Sequence, residues 1–237
     1  MQSVWTLLSW GSEGWLDDIA YGVFVTVSLA LATLPLGLAV GFFVAVAKKS
    51  DEPSLRLAGN IYTTIFRGLP ELLTLFLVYF GVQIGVQQLL QLFKPGATIE
   101  VNSFVSGMVA LGVVFSSYAS EVFLSAFRAI PPGQYEGGYA VGLTRGQTMR
   151  LIILPQLVRI ALPGLSNLWL ILLKDTALVS AIGLSDILRQ AGVAARVTKH
   201  TFTFFGVACL IYLVLAIISS VGIGAIARSV GRKEMQR

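Results

Sequence analysis

Long apolar runs without charged residues alternate along this chain with short polar segments. Residues 19–47, 72–93 and 201–227 contain no Asp, Glu, Lys or Arg. About 20 apolar residues are enough to cross the hydrocarbon core of a bilayer. These runs therefore predict membrane-spanning helices, and two further spans are predicted at about 103–123 and 160–182. The pattern predicts an all-α polytopic membrane protein with five transmembrane helices.

The second apolar region, residues 57–93, is too long for one perpendicular span and is interrupted by Arg67, Pro70 and Glu71. It forms either one long tilted helix or a short helix on the cytoplasmic side that leads into the span 72–93. On an unbroken helix Arg67 and Glu71 would share a face. We favour an interfacial ion pair between them, and the alternative is a functional role, which is common for ionisable groups in membranes.

Composition agrees with a membrane protein. Only 12% of the 237 residues are charged, and the mean hydropathy is +0.79. In a soluble domain about a quarter of the residues are charged, so the composition favours a membrane protein over a soluble fold. In a membrane protein, a net charge of +5 indicates basic cytoplasmic loops. We expect membrane lipid around the chain and no nucleic-acid partner.

The basic residues fall mainly on one side of a five-span topology. That side receives Lys48, Lys49 and the basic C-terminal tail, and the other side receives an acidic N-terminal segment. Because basic residues mark the cytoplasmic side, we expect the N-terminus outside and the C-terminus in the cytoplasm. The predicted loop 186–200 is basic and fits this topology less well. The domains are an extracytoplasmic segment, a transmembrane domain and a cytoplasmic tail, at residues 1–18, 19–227 and 228–237.

The polar segment 131–155, between the third and fourth predicted spans, contains two helix starts. A proline pair suits the first start, and Gly142 is placed to end that helix. Thr144 and Gln147 have the spacing of a capping box for the second helix. Two short helices joined by a glycine turn form a protruding cytoplasmic surface. This favours docking to a partner, and an ordinary connecting loop is the alternative.

A set of motifs resembles the permease subunits of bacterial ABC importers over residues 20–227. The segment 131–155 is similar to the EAA loop of that family, through Glu136-Gly137-Gly138, Gly142 and Ile153-Leu154-Pro155. Other motifs are similar to the polar amino-acid branch: Arg67-Gly68-Leu69-Pro70, Ile130-Pro131-Pro132-Gly133-Gln134 and Lys174-Asp175-Thr176-Ala177-Leu178. The nearest resemblance is to histidine/lysine-arginine-ornithine permeases and to octopine and nopaline permeases.

This resemblance implies a type I ABC importer permease (MetI-like) fold. It also implies the transmembrane permease subunit of an ATP-driven importer that moves a polar, preferentially basic, amino acid or opine across the bacterial inner membrane. In that family the loop inserts into an ATPase subunit and couples its closure to opening of the pore. By resemblance, the coupling residues here are Glu136, Gly137, Gly138, Gly142, Leu154 and Pro155.

Gly137 and Gly138 depart from the family pattern, which has two alanines at these positions. Glycine costs roughly 1 kcal/mol relative to alanine in a helix interior. On helix propensity alone, we expect the double change Gly137→Ala/Gly138→Ala to retain transport.

The chain contains no G-x-x-x-x-G-K-[ST] phosphate loop. We therefore expect no cofactor in this chain, with ATP and Mg²⁺ bound by a partner ATPase present in two copies. The resemblance further implies a second homologous permease subunit and an extracytoplasmic solute-binding protein. The sequence has neither H-E-x-x-H nor S-x-x-K, so we expect no enzyme activity and no metal site. The alternative function is an ion-gradient-driven amino-acid carrier, but no inverted repeat of the kind found in many carriers is evident.

Four polar residues are candidates for the substrate path. Lys174 and Asp175 lie inside the predicted fourth span, where they point about 100° apart on a helix and cannot pair with each other. Asn167 shares a face with Lys174, and Glu121 lies near the end of the third span. Lys174 would suit a substrate carboxylate, and Asp175 or Glu121 an ammonium. Packing between spans is the equal alternative for Lys174 and Asp175.

Overall fold

The computed structural model describes residues 4–11, 14–96, 98 and 102–232. The end of the predicted tail, residues 233–237, lies outside the described part, as do residues 12 and 13. The described residues contain no strand. The α-helices are α1 Val4–Leu7, α2 Leu16–Lys49, α3 Pro53–Gly68, α4 Glu71–Phe93, α5 Ser103–Ala129, α6 Pro132–Ala140, α7 Arg145–Thr148, α8 Leu154–Asp175, α9 Ile187–Thr198 and α10 Thr201–Arg232. A π-helical segment, Met149–Ile153, precedes α8, and a 3-10 helix, Thr176–Ile182, follows it.

Five stretches of the described chain are long and apolar enough to span a membrane. They are α2, α4, α5, the segment Arg145–Ile182 and the segment Thr201–Ala225. The prediction of five spans is confirmed. Charged residues continue α2 beyond its apolar run at both ends, whereas α4 adds only Glu71 to its run.

The second apolar region is divided into two helices. α3 ends at Gly68 and α4 begins at Glu71, with Leu69 in an extended conformation between them. A residue that precedes proline is driven away from helical angles, and Pro70 imposes this on Leu69. Of the two predicted arrangements, the short separate helix followed by a span is therefore the one that forms.

α5 lies at the centre of the bundle and packs most closely against α2. Gly37 and Gly41 of α2 face α5, as their G-x-x-x-G spacing predicts. A Cβ atom on Gly41 would lie 2.9 Å from the Cβ of Ala119 and 2.9 Å from the carbonyl oxygen of Ser116. The two helices approach closely because these glycines have no side chain.

The prediction of a loop at residues 186–200 is wrong, because most of this segment forms the helix α9. Asp186 caps this helix by accepting hydrogen bonds from the backbone N–H groups of Leu188 at 3.3 Å and Arg189 at 3.0 Å. One face buries small apolar residues, among them Ala191 and Ala194, beside Phe204 of α10. Alanines give a weak hydrophobic signal, so the basic residues of α9 dominated the sequence pattern.

Candidate functional site

The polar segment 131–155 folds as the sequence predicts. α6 begins with Pro132 in its first turn, where a missing N–H costs little. Gly142 ends the turn after α6 with φ +83°, a left-handed conformation that favours glycine. Thr144 and Gln147 form the complete capping box of α7, with the Gln147 N–H donating to the Thr144 hydroxyl at 3.3 Å. The two helix starts and the glycine turn are confirmed.

A π-helical segment joins α7 to α8. It covers Met149–Ile153 and ends immediately before Leu154 and Pro155. Proline has no N–H and its ring crowds the preceding turn, so the wider π turn accommodates Pro155 without ending the helix. Leu154 is half-buried against the core, while Pro155 is exposed.

The two glycines of α6 lie in different surroundings. Glu136 and Gly137 are exposed, and a Cβ on Gly137 would meet no atom within 4 Å. Gly138 is buried, and a Cβ there would lie 2.6 Å from Cγ2 of Thr148. The face of α6 that carries Glu136 and Gly137 is therefore open, while Gly138 is packed against α7.

Glu121 of α5 lies between two cations. Lys48 Nζ donates to the Glu121 carboxylate and, at 3.0 Å, to the hydroxyl of Thr63. Arg67 Nη1 lies 3.3 Å from the same carboxylate oxygen. The Lys48 side chain is only 7% exposed, so this network ties α2, α3 and α5 together inside the bundle.

The predicted ion pair between Arg67 and Glu71 is wrong. Arg67 is in the last turn of α3 and Glu71 is the first residue of α4. The break at Pro70 removes the shared helix face on which the prediction relied. Arg67 pairs instead with Glu121 and stacks on the ring of Tyr118, whose centre lies 5.6 Å from its guanidinium carbon.

Glu71 instead approaches Asp175 at the end of α8. The two carboxyl groups interact and line one small cavity between α4, α5 and α8. The other walls are mainly apolar, with Leu111 and Phe115 among them. The cavity has a volume of about 10 Å³, which is room for about one water molecule.

Asn167 and Lys174 are both exposed on α8 and lie seven residues apart, hence on one face. Neither side chain lines the cavity that Glu71 and Asp175 share. No ion pair joins Lys174 to Asp175 among the described residues. The structure thus brings Asp175 to Glu71 and Glu121 to Lys48, and leaves Asn167 and Lys174 on an open helix face.

Sequence reasoning missed the partners of two lysines. On the sequence alone, Lys48 and Lys49 indicate only the cytoplasmic side. A signal for Lys48 was present, because it continues the buried stripe of α2 formed by Gly37, Gly41 and Ala45. No comparable pattern marks Lys49, whose partners come from distant parts of the chain.

The described chain thus has five stretches able to span a membrane, with the mainly exposed helix α6 between the third and the fourth. A family model described as the inner membrane component of binding-protein-dependent transport systems matches residues 37–232. The chain belongs to this family.

Among the described residues, no group of three His, Cys, Asp or Glu is placed to hold a metal ion.

Curated relatives cover nearly the whole chain. It is 42% identical over 218 residues to the nopaline transport system permease protein NocQ of Agrobacterium fabrum, covering 92% of each chain. It is 43% identical to the arginine ABC transporter permease protein ArtQ of Haemophilus influenzae, covering 84% of this chain and 87% of the relative. It is 37% identical to the histidine/lysine/arginine/ornithine transport system permease protein HisQ of Escherichia coli, covering 87% and 90%.

Solved structures agree with this assignment. A crystal structure of an amino acid ABC transporter with histidines superimposes with a TM-score of 0.75 at 30% identity, covering 91% of this chain and 95% of the other. The inward-facing methionine transporter MetNI gives a TM-score of 0.71 at 17% identity, covering 91% and 97%, which supports the fold alone.

The chain is therefore a permease subunit of an ABC importer with a type I importer fold. It is a multi-pass protein of the inner membrane, and its family works with an ATPase partner and a binding protein. The family assignment favours ATP-driven import over the ion-gradient-driven alternative.

Proposed function

We propose that this chain forms half of the pore of an importer for a cationic amino acid or opine. The substrate class is supported by relatives named for arginine, nopaline and histidine/lysine/arginine/ornithine transport. Five spans in one chain are few for a gated pathway, so a second homologous permease completes the pore. Two copies of the ATPase subunit supply the ATP and Mg²⁺ sites, and this chain supplies no catalytic group.

The termini lie on opposite sides of the membrane, with the N-terminus outside. An odd number of spans supports termini on opposite sides. The basic residues lie mainly on the side of the membrane that also holds the C-terminus, which supports a cytoplasmic C-terminus. The segment 131–155 then lies in the cytoplasm. Its exposed face, with Glu136 and Gly137, docks on the ATPase, and Gly142, Leu154 and Pro155 hold that face at a fixed angle to α8.

The juxtaposition of Glu71 and Asp175 carries the substrate assignment. Two carboxyl groups in a mainly apolar cavity repel each other when both are ionised, and a cation placed between them relieves this repulsion. An ammonium or guanidinium group fits that requirement. Lys174 and Asn167, on the open face of α8, are suited to the substrate carboxylate along the path.

Glu121 serves the path differently. Its carboxylate is already neutralised by Lys48 and Arg67, so it has little capacity to attract a substrate cation. We assign it to holding α3 against α2 and α5 beside the path. The cavity at Glu71, with room for about one water molecule, must widen before an amino acid enters, which requires α4 to move away from α8.

Uptake of arginine by the assembled importer in proteoliposomes tests this function. Glu71→Gln and Asp175→Asn are each expected to lower ATP-dependent arginine uptake at least about tenfold, because losing one partner of a buried charge contact costs 2–5 kcal/mol. Glu52→Gln, an exposed carboxylate at the start of α3, is the matched control and should behave as the wild type.

Two results would contradict the proposal at different levels. Wild-type arginine uptake by both carboxylate variants would remove the substrate site but leave the importer class intact. Uptake that proceeds without ATP and stops when an ion gradient is collapsed would instead establish the secondary carrier.

A further inference from the structure

Lys49, the last residue of α2, contacts α6 directly. Its Nζ donates a hydrogen bond to the hydroxyl of Tyr135 at 2.6 Å. The same ammonium group lies 4.3 Å from the centre of the Tyr135 ring and 4.9 Å from the centre of the Phe127 ring. One cation is thereby held between an aromatic side chain of α6 and one of α5, a cation–π arrangement.

This contact lies next to the proposed docking residue. Tyr135 immediately precedes Glu136, so a partner that displaces Glu136 also displaces Tyr135. Elsewhere α6 packs on its own neighbours in sequence, through Gly138 against Thr148 and through a hydrogen bond from Gln156 to Gln134 at 2.9 Å. The Lys49 contact is different, because it joins α6 to α2, 86 residues away in the chain.

α2 is built to pass a displacement onward. Its glycine stripe packs directly against the backbone of α5, and close-packed interiors transmit strain rather than absorb it. A movement of Tyr135 that pulls on Lys49 therefore reaches α2 and α5 together. Phe127 provides a second route into α5 from the same ammonium group.

We propose that Lys49 is a positioning residue that links the docking helix α6 to α2 and α5, so that movement of the ATPase opens the pore. This inference rests on the proposed function, since it presumes that the ATPase docks at Glu136. Lys48, the adjacent residue, has a separate role, because its ammonium group is engaged by Glu121 and Thr63.

Coupling is measured as substrate imported per ATP hydrolysed by the assembled importer in proteoliposomes. Lys49→Met, which keeps the apolar stem and removes the charge, is expected to lower this ratio roughly fivefold, at the low end of usual coupling between sites. Lys49→Arg should keep the wild-type ratio, because a guanidinium retains both the hydrogen-bond donor and the cation–π contact. Tyr135→Phe, which loses only the hydroxyl, should fall between the two.

Three comparisons make the outcome decisive. Arg56→Met removes another exposed cation, in α3, and should leave the ratio unchanged. Lys48→Met should reduce the amount of assembled complex rather than the ratio. Glu136→Lys should abolish stimulation of the ATPase, and if it does not, the docking surface itself is wrong.

The inference about Lys49 fails separately. It is overturned if Lys49→Met keeps the wild-type ratio while Glu136→Lys abolishes coupling. It is equally overturned if Lys49→Met lowers ATP hydrolysis and import in proportion through loss of the ATPase from the complex, since the residue then acts only on assembly.

Discussion

At the scale of single residues, the glycine pair of α6 divides into two roles. The sequence treats Gly137 and Gly138 alike, as two departures from a pattern with two alanines. In the fold, Gly137 faces open space while Gly138 lies against the buried side chain of Thr148. Gly138 therefore allows α6 to approach α7 closely, and Gly137 has no packing role within this chain.

The single alanine variants are expected to differ. Gly137→Ala should raise the stability of the permease by up to about 1 kcal/mol, because alanine is the better helix former and its methyl group meets no atom. Gly138→Ala should lower it by roughly 1–3 kcal/mol, as overpacking does. Thermal unfolding of the purified permease in detergent measures both, and each variant controls for the other.

The packing around Gly138 predicts a different outcome from helix propensity alone, on which replacing both glycines is harmless. The double variant should follow Gly138→Ala and lose both stability and coupling. Equal stability of the two single variants would show that Thr148 moves aside at little cost.

At the scale of elements, α9 shows how one buried carboxylate starts a helix. The side chain of Asp186 is buried yet caps α9. Burial raises the pKa of Asp186 to about 6, although its hydrogen bonds from backbone N–H groups act in the opposite direction. Arg189 of α9 and Tyr212 of α10 are the other titratable groups that act on it.

The raised pKa predicts a pH dependence of stability. The folded state binds the Asp186 proton more tightly than the unfolded state, whose pKa is near 3.9. The stabilisation that this tighter proton binding gives the folded state is therefore fully present below about pH 4 and is lost as the pH rises through about 6. Asp186→Asn, which still caps the helix, should remove this dependence.

Thermal unfolding of both proteins between pH 5 and pH 8 measures the effect. Relative to Asp186→Asn, the wild type should be more stable at pH 5 than at pH 8. An identical pH profile for the two proteins would contradict a raised pKa for Asp186.

At the scale of the whole molecule, burial is concentrated in one helix. In an apolar 18-residue stretch of α5, 67% of the residues are buried, whereas only 11% are buried in the corresponding stretches of α4 and α10. Outer helices this exposed and this apolar need lipid or another subunit around them. The acidic first turn of α2 and the polar connection to α3 lie at opposite ends of one helix, so they report on the two sides of the membrane.

Labelling with a membrane-impermeant thiol reagent tests the orientation. In a Cys209→Ala background, which removes the single native cysteine, Asp18→Cys should be labelled in intact spheroplasts. Glu52→Cys should be labelled only after permeabilisation, because it lies across the membrane from Asp18. The reverse pattern would invert the topology and place the segment 131–155 outside the cell.

Features that depend on residues close together in the chain could be predicted from the sequence. The five spans follow from charge-free apolar runs, and the α6–α7 segment follows from a proline start, Gly142 and the Thr144 capping box. The sequence does not decide between two arrangements at Pro70, because a proline can either kink or end a helix. α9 was missed, since its buried face consists mainly of alanines.

The sequence by itself determined that the chain spans a membrane, the number of spans and the two helix starts of the α6–α7 segment, because these depend on hydropathy and on short-range capping. Only the tertiary structure decided which charges meet. Glu121 pairs with Lys48 and Arg67, Glu71 approaches Asp175, and Lys49 reaches Tyr135, all across long separations in the chain. Such contacts depend on how whole helices pack, which no local pattern records.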